Sequence, residues 1–559
     1  MAFQVSPGVQ VKEIDASGVI PAVSTSIGGF AGSFNWGPVE EVRTVGSETE
    51  LASIFGKPDS ETFKYFLTAA SFLKYGNALK VVRAKSGHLN AADGTATLVK
   101  NRDHFEAGGI TLDGTFVARY PGKLGNSLKV VICPADATAW AAFTQANSFD
   151  GQPGTSDTAA LYGHTKDELH VAVVDTDGAW SGTAGTVLET FQFVSQASDS
   201  VKSDGQSNYY KEVINRTSRY VYSTGHPTAL TDCGEALATQ AVASTAYVTG
   251  TAAIVASLAI GTDDNTPTDA EIVNALDLLA DAETIDVNLL FAYPDADSSK
   301  TIADKLIEIC EARKDCMAFV SPPIDDSVGT DTPAANVKTW ADTLPSTSYA
   351  ATDSGAVYVY DKYNDVYRWL GAAGLCAGLC ANTDDVADAW FSPAGVNRGQ
   401  LFGVTKLAYN PKKADRDTLY KARVNPLVSF PGQGTMLFGD KTLLSKPSAF
   451  DRINVRRLFI VLEKAVATAA KAQLFEFNDE FTRAQFRNML EPFMRDVKGR
   501  RGMTDFRVIC DTTNNTGQVI DANRFVADIF IKPSRSINFI SLNFIATRTG
   551  VDFSEIAGS

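Results

Sequence analysis

The order of helices and strands is clearest in residues 269–320. This stretch contains DAEIVNALDLL (269–279), VNLLFAY (287–293), SSKTIADKLIEICEAR (298–313) and MAFV (317–320). The first and third segments place apolar residues at helical spacing, and the second and fourth are short apolar runs of strand length. Helices that alternate with buried strands are typical of a parallel sheet covered by helices. The stretch therefore predicts an α/β domain.

A similar pattern precedes it near the start of the chain. Residues 28–38, GGFAGSFNWGP, predict a strand and turn, residues 61–75 an amphipathic helix, and residues 79–82 a buried strand. Residues 88–268 instead contain short β-like runs separated by Gly, Asp, Asn and Thr. We therefore expect a middle α/β domain interrupted by a mostly β insertion.

Further elements are expected after residue 320. Trp340 and residues 351–369 predict additional strands, and residues 369–380 form a Gly/Ala-rich element that we expect to pack closely. The predicted domains are an N-terminal strand arm at 1–22, the middle domain at 23–87 plus 269–450, the outer insertion at 88–268 and an inner domain at 451–559.

The last hundred residues predict two helices and a small sheet. Residues 456–475 have a strong amphipathic pattern. A second helix starts near Asn478, a residue type suited to capping, and Pro492 is expected to bend or restart it. A basic loop at 495–502 is expected to end this helix, and three strands are predicted to follow at 506–510, 525–531 and 537–546.

The N-terminal residues FQVSPGVQVKEI (3–14) predict a strand without a local partner. Apolar residues alternate with polar ones, and a small, polar stretch at 15–26 follows instead of a hairpin. A lone strand exposes two unpaired edges, so we expect another sheet to accept it.

Composition indicates a multidomain globular protein. The chain has 559 residues, of which 44% are hydrophobic and 21% charged, and a chain of this length usually divides into several domains. The start lacks a secretory signal pattern and no apolar run is long enough to span a bilayer, so we expect a cytoplasmic protein. Its seven cysteines are expected to be buried free thiols.

Charge is unevenly distributed along the chain. The net charge is −15, but residues 396–559 carry 25 Lys and Arg against 16 Asp and Glu, a net charge of +9. The basic C-terminal part indicates either an acidic partner or simply a differently solvated domain.

Signals for catalysis or metal binding are weak. The five histidines are isolated from other ligands and are expected to be ordinary surface residues. Cys376 and Cys380 lie among glycine and alanine and indicate packing, and Asp175 to Gly178 lacks the twelfth-position Glu of a calcium loop and indicates a hairpin turn. The glycine-rich residues 431–436 lack the Lys-Ser/Thr of a phosphate loop. We predict no catalytic, cofactor-binding or metal-binding residues.

Blocks at both ends of the chain resemble the tail sheath proteins of contractile-tailed bacteriophages, especially the T-even-like myoviruses. At the start these are SPGVQVKE (6–13), FAGSFNWGP (30–38), IFGKP (54–58) and FLKYGNALKVVR (72–83), and ARYPGKLGNSL (118–128) is similar to the family's entry into its outer insertion. At the end they are RVICDTTN (507–514), IKPSRSINFI (531–540) and ATRTGVDF (546–553).

The resemblance implies a structural, non-enzymatic subunit with inner and middle α/β domains, an outer β insertion and extended arms. It implies stacked hexameric rings around a tail tube that contract to drive the tube through the host envelope. The implied partners are other copies of the chain, the tube protein, and the baseplate and tail terminator proteins, without nucleic acid, membrane insertion or a cofactor. The implied location is the virion tail, after assembly in the host cytoplasm.

Two residue sets follow from this resemblance. The residues implied in strand exchange between subunits are Phe3, Val5, Val9, Val11, Ile540, Leu542 and Phe544. The residues predicted to face the tube are Phe486, Arg487, Arg495, Lys498, Arg500 and Arg501. Two alternatives stay open: the sheath of a pyocin-like or secretion-type injector, and a nucleotide-dependent α/β enzyme.

Overall fold

The computed structural model describes residues 24–95, 97–108, 114–227, 247, 250–294 and 300–538. The strands of these residues are β1 (Gly28–Gly32), β2 (Val42–Val45), β3 (Leu79–Arg83), β4 (Phe116–Ala118), β5 (Leu128–Pro134), β6 (Glu168–Asp175), β7 (Thr186–Ser195), β8 (Val221–Ser223), β9 (Ile254–Ser257), β10 (Leu289–Phe291), β11 (Met317–Val320), β12 (Ala350–Asp353), β13 (Val357–Asp361), β14 (Val366–Leu370), β15 (Val404–Leu407), β16 (Val424–Asn425), β17 (Leu427–Phe430), β18 (Gly434–Leu437), β19 (Met503–Ile509) and β20 (Asp528–Pro533).

The α-helices of the described residues follow the same order. They are α1 (Glu48–Phe55), α2 (Phe63–Leu73), α3 (Arg102–Glu106), α4 (Ala137–Ala141), α5 (Asp157–Leu161), α6 (Tyr210–Thr217), α7 (Asp269–Asp277), α8 (Thr301–Arg313), α9 (Pro333–Thr343), α10 (Ala373–Val386), α11 (Lys413–Lys421), α12 (Ile453–Ala470), α13 (Glu480–Gly499) and α14 (Gly517–Asp521). This mixture of helices and sheets confirms the predicted multidomain α/β class.

A seven-stranded sheet joins the two sequence regions that flank the insertion. Its order is β16-β12-β11-β10-β1-β3-β2, and every pair is parallel except β2 with β3. Gly28 of β1 lies opposite Leu79 on one side and Leu289 on the other. The parallel layer predicted from residues 269–320 is therefore confirmed, and β1 connects it to the N-terminal elements.

Glycines allow the layers of this sheet to approach closely. A Cβ at Gly29 would lie 2.5 Å from Leu290, and a Cβ at Gly374 of α10 would lie 2.5 Å from the carbonyl oxygen of Thr68 in α2. Cys376 and Cys380 are buried on the same helix. The close packing predicted for the Gly/Ala-rich element is confirmed.

Trp340, expected in a strand, lies instead in α9, where its buried ring packs against the sheet core.

The insertion is built on a four-stranded antiparallel sheet with the order β7-β6-β5-β9 and a two-stranded sheet of β4 and β8. Its hydrophobic core includes Trp36, whose ring meets the rings of Tyr120 and Trp180 at 5.6 and 4.8 Å. Fully buried Arg83 at the end of β3 donates to the carbonyl oxygens of Gly37 and Pro121, each at 2.9 Å. The aromatic packing around Trp36 and the buried guanidinium of Arg83 thus attach the insertion to the seven-stranded sheet.

The chain divides into two compact units. Among the described residues, the main unit contains residues 24–389 and 393–465, and the terminal unit contains residues 390–392 and 466–538. The predicted domain boundaries stay predictions.

Candidate inter-subunit surfaces

The described part of the terminal unit contains a two-stranded sheet supported by one helix. β19 and β20 are antiparallel, with Phe506 opposite Ile531 and Arg507 opposite Phe530. No third strand joins them among the described residues, so within this part of the chain one edge of each strand has no strand beside it. Two-stranded sheets are marginal alone. The pair therefore has the geometry of a sheet that accepts further strands at its edges.

Helix α13 supports this sheet and carries most of the residues predicted to face the tube. Asp479 caps the helix by accepting a hydrogen bond from the backbone N–H of Thr482 at 2.8 Å. Phe486 is 3% exposed, and its ring meets that of Phe525 at 5.4 Å. The ring of Phe486 therefore belongs to the interior of the terminal unit, and its contact with the tube stays a prediction.

The predicted basic loop is helical over most of its length. Arg495 and Lys498 lie in the last turns of α13, which continues to Gly499 through Pro492. Arg495 pairs with Glu491 at 2.8 Å, and Lys498 pairs with Asp505 at 3.1 Å. The hydrogen bond from Lys498, and then its positive charge, lower the pKa of the Asp505 carboxyl. Much of the positive charge expected here is therefore locally compensated.

The end of this helix is held to the segment at residue 390. The guanidinium of Arg500 lies 5.1 Å from the centre of the Trp390 ring, and it also pairs with Asp496 at 3.6 Å. The indole N–H of Trp390 donates to the Arg500 carbonyl oxygen at 3.1 Å. Arg501 follows in the left-handed region with φ +67 and is exposed. These contacts fix the position of the exposed basic end.

The residues implied in strand exchange lie outside the described residues, both the set from Phe3 to Val11 and the set from Ile540 to Phe544. The third predicted strand, 537–546, is described only up to residue 538. The other two strands predicted after α13 are confirmed by β19 and β20.

Two cations of α12 hold the chain where the described residues begin. Arg457 donates to the carbonyl oxygen of Thr25 at 3.2 Å and to the carboxylate of Asp384 at 2.6 Å. Lys464 donates to the carbonyl oxygen of Ser24 at 3.4 Å and forms an ion pair with Asp286. Sequence reasoning missed this anchor; two cations seven residues apart on one face of an apolar helix are the signal that could have revealed it.

Among the described residues of the main unit, aromatic side chains pack at the expected nucleotide position. In doubly wound sheets this position is the carboxyl edge where strand order reverses, which here lies between β1 and β10. The ring of Tyr65 lies over Gly32 at the end of β1 and meets the ring of Tyr293, after β10, at 5.8 Å. Two aromatic rings therefore pack against each other at the edge where such sheets bind nucleotides.

Other chemistry-bearing residues have structural roles. Asp175 accepts hydrogen bonds from Ser127 and from the backbone N–H groups of Gly178 and Trp180, as the hairpin-turn interpretation requires. His170, expected at the surface, is buried: its ring stacks on Phe149 at 4.6 Å, and burial lowers its pKa. His88 is buried as well. The six cysteines among the described residues are buried free thiols.

The His, Cys, Asp and Glu side chains of the described residues form no group of three or more that is arranged to hold a metal ion. None of the helices in this part of the chain is both long and apolar enough to cross a membrane.

Three parts of the chain match known protein families. Residues 25–84 match the Tail sheath protein Gp18 domain III N-terminal region, residues 265–443 the Phage tail sheath protein central domain, and residues 445–547 the Phage tail sheath C-terminal domain.

Two solved structures share the fold. The sheath tail protein Lin1278 from Listeria innocua is 12% identical with a TM-score of 0.54, covering 93% of this chain and 97% of its own. The helical sheath of the anti-feeding prophage in the contracted state is 13% identical with a TM-score of 0.50, covering 98% and 100%.

Whole-chain similarity is found with phage proteins. The chain is 33% identical to the Tail sheath protein of Vibrio phage KVP40, over 99% of both chains. It is also 33% identical to the Tail sheath protein of Enterobacteria phage T4, again over 99% of both chains. Because similarity at this level spans the arms, the insertion and both compact units, the chain belongs to the phage tail sheath protein family.

Proposed function

We propose that the chain is the structural subunit of a contractile tail sheath, polymerised as stacked hexameric rings around a tail tube. The observation that carries this proposal is the 33% identity to two phage tail sheath proteins over 99% of the chain. On contraction the sheath shortens and drives the tube through the host envelope. The energy comes from larger contacts between subunits and not from a nucleotide. The subunit is assembled in the host cytoplasm and then resides in the virion tail, with baseplate and terminator proteins at the sheath ends.

Strand exchange is the proposed link between subunits. The open edges of β19 and β20 among the described residues support it, because an added strand would satisfy their unpaired backbone groups. The strands come from the arms of neighbouring copies, through the residues from Phe3 to Val11 and from Ile540 to Phe544. Arg457 and Lys464 of α12 donate hydrogen bonds to the backbone at Thr25 and Ser24. These contacts support a role for the N-terminal arm as a tether, because a force on the arm would reach α12 through them.

The proposed contact with the tube uses the exposed basic end of α13. Arg495, Lys498, Arg500 and Arg501 form this surface, together with half-buried Arg487 earlier in the helix, whereas the ring of Phe486 lies in the interior of the unit. The 70% exposure of the Arg495 side chain supports the proposal. Because Glu491, Asp496 and Asp505 offset most of the charge, the contact is held by matched ion pairs more than by a strong long-range field.

A sheath of a pyocin-like or secretion-type injector is the second candidate. The fold of the anti-feeding prophage sheath, which this chain shares with a TM-score of 0.50, favours it. Purified particles that carry this subunit distinguish the two candidates: a DNA-filled head indicates a phage, and a headless particle indicates an injector.

An enzyme that uses nucleotides is disfavoured by the packing of Tyr65 against Tyr293 at the switch point of the sheet. The decisive experiment combines electron microscopy of the purified chain with calorimetry against ATP and GTP. We expect tubular or ringed polymers and no saturable nucleotide binding. Monomers that bind a nucleotide saturably would contradict the sheath proposal.

A further inference from the structure

Two cysteine side chains are in contact where α8 ends and β11 begins. The thiol of Cys316 donates to the Sγ atom of Cys310 across 3.4 Å. Both residues are 0% exposed, both belong to the hydrophobic core of the main unit, and both are free thiols. Packing alone explains a single buried cysteine, because a free thiol behaves as a small apolar group. The contact between two thiols is a separate observation with chemical consequences.

The turn between α8 and β11 brings the two sulfur atoms together. α8 ends at Arg313, and Lys314 follows in the left-handed region with φ +63. The backbone N–H of Lys314 donates to the carbonyl oxygen of Cys310 at 2.9 Å. A left-handed residue after the last helical turn reverses the direction of the chain. Cys316 therefore returns to the side of α8 on which Cys310 lies.

The side chain of Arg313 holds this turn in place. Its guanidinium donates to both carboxylate oxygens of Asp315, each at 2.8 Å. It also donates to the carbonyl oxygens of Leu279 and Ile285 at 2.8 and 2.9 Å. The Arg313 side chain is 1% exposed, so displacing it would leave a buried charge without partners. The turn is thereby fixed with the two thiols in contact.

The two sulfur atoms are close enough to bond without a rearrangement of the backbone. A disulfide joins its sulfur atoms at about 2.05 Å, so these two must approach by roughly 1.4 Å. Each sulfur atom covers half of that distance by a modest rotation about its own Cα–Cβ bond. The reduced pair is therefore already near the geometry of its oxidised form.

A second pair of buried cysteines in the main unit lacks this geometry. Cys376 and Cys380 lie four residues apart on α10. The Cβ atoms of such helical neighbours are about 5–6 Å apart, whereas a disulfide needs roughly 3.5–4.5 Å. This helical pair cannot form a bond without distorting α10, and it is an internal control for the pair at α8.

We propose that Cys310 and Cys316 form an oxidation site, at which hydrogen peroxide converts the two thiols into an intrachain disulfide. The first thiol loses its proton and its sulfur attacks a peroxide oxygen; the O–O bond breaks, giving a sulfenic acid and one water. The second sulfur attacks the sulfenic sulfur, so that the S–S bond forms, the S–O bond breaks and a second water leaves. Two thiols are oxidised, and one peroxide is reduced to two waters.

The environment of the pair determines when this reaction occurs. Burial, followed by the hydrogen bond from Cys316, raises the pKa of the Cys310 thiol. Few thiolates form, so oxidation is slow and needs a small oxidant that enters by local opening. Reducing cytoplasm keeps thiols reduced, whereas the surroundings of a virion are oxidising. The bond therefore forms after release from the host. This timing rests on the proposed function, but the pairing of the two cysteines does not.

The bond is expected to stabilise the main unit. It closes a loop of seven residues between the end of α8 and the start of β11, and a cross-link restricts the unfolded chain. Both elements belong to the layers of the seven-stranded sheet. The oxidised protein should therefore unfold at a temperature about 2–4 °C higher than the reduced protein.

The test treats the full-length chain with hydrogen peroxide and counts free thiols after unfolding in denaturant. Trypsin cuts after Arg313 and after Lys314, so the proposed bond joins two separate peptides, 306–313 and 315–338. Mass spectrometry identifies the joined peptides directly. Dithiothreitol separates them again, whereas it does not reverse oxidation of a thiol to a sulfonic acid.

We expect peroxide to remove two of the seven thiols and to produce the joined peptides, and dithiothreitol to restore both thiols. Cys310→Ala and Cys316→Ala should each abolish the joined peptides. The matched control, Cys376→Ala with Cys380→Ala, should retain them. Thermal unfolding of the oxidised wild type, with and without dithiothreitol, measures the stabilisation, and the difference should be absent in Cys316→Ala. Circular dichroism establishes that each variant is folded.

Seven thiols that persist after peroxide treatment would overturn the inference. Sulfinic or sulfonic acid at either cysteine in place of the joined peptides would overturn it as well. A bond between Cys376 and Cys380, which would lie within the single tryptic peptide 369–398, would refute the geometric argument. An unfolding temperature that does not rise on oxidation would refute the stabilising role. None of these results depends on polymer formation, so the sheath proposal stands or fails separately.

Discussion

The guanidinium of Arg457 lies 2.6 Å from the carboxylate of Asp384, and the side chains are 4% and 7% exposed. Arg457 also donates to the carbonyl oxygens of Cys380 and Thr25. One residue of α12 thereby joins α10 to the segment from which the N-terminal arm departs. The contact is buried, so its loss affects the fold as well as the arm.

Replacing Arg457 with Met is expected to destabilise the main unit by about 3–5 kcal/mol, because it leaves the Asp384 carboxylate buried and unpaired. Urea unfolding followed by tryptophan fluorescence measures this change. The matched control is Arg495→Met, whose ion pair with Glu491 is exposed and whose loss should cost less than about 1 kcal/mol. Equal effects of the two substitutions would show that the buried pair has no special role.

Asp353 should make stability fall as pH rises. Burial raises the pKa of Asp353 to about 7, although Ser321 and the backbone N–H of Gly355 donate to its carboxylate. In the unfolded chain its pKa is near 4, so between about pH 4 and pH 7 the unfolded state loses a proton that the native state retains. The native state is therefore progressively disfavoured across this window.

Asp353→Asn should accordingly be more stable than the wild type at pH 8. The gain is at most about 4 kcal/mol, because the pKa of Asp353 differs by roughly three between the folded and unfolded states. The advantage should disappear at pH 4. Unfolding free energies measured from pH 4 to pH 8 test this, with Asp331→Asn at an exposed position as the control. An advantage that stays constant with pH would contradict the assignment.

Gly374 should tolerate no side chain. Its added Cβ would lie 2.5 Å from the carbonyl oxygen of Thr68, so Gly374→Ala must push α10 away from α2 and is expected to cost about 1–3 kcal/mol. Gly499, at the end of α13, has open space around it. Gly499→Ala should be neutral or stabilising by up to about 1 kcal/mol. Thermal unfolding compares the two variants, and equal melting temperatures would refute the close-packing argument.

Deletion of residues 1–20 should leave a folded chain that does not polymerise. Both the sheet of the main unit and the anchor at Ser24 and Thr25 lie beyond the deletion, whereas the proposed exchanged strand lies within it. Circular dichroism tests folding, and electron microscopy tests assembly. Normal polymers from the shortened chain would remove the N-terminal arm from the proposed linkage.

Charge reversal at Arg495 and Arg501 should impair assembly on tubes while leaving the fold intact, because neither side chain is buried. The measurement is co-sedimentation of sheath with purified tubes at low and high salt. Arg102→Glu, at an exposed helical residue of the insertion, is the matched control. Unchanged assembly of the double variant would place the tube contact elsewhere.

Local pattern predicted much of the architecture. The helix–strand alternation of residues 269–320 was sufficient for the parallel layer, because each element has its own apolar periodicity. Trp340 was assigned to a strand because an isolated aromatic residue does not reveal its period, whereas Pro333 at the first helical turn marks the start of α9. The basic residues 495–502 were expected to form a loop that ends the second helix, whereas α13 continues through Pro492 as far as Gly499.

The sequence by itself determined the α/β class, the family and the absence of a recognisable catalytic motif, because these depend on local periodicity and on blocks of consecutive residues. Only the tertiary structure decided that β1 joins β3 to β10, that Arg457 and Lys464 hold the start of the described chain, that Phe486 is interior, and that the rings from Phe475 to Phe481 are exposed. These facts depend on contacts between residues distant in sequence. Burial is a property of the assembled fold, and the same aromatic residue serves as core or as surface according to what packs against it.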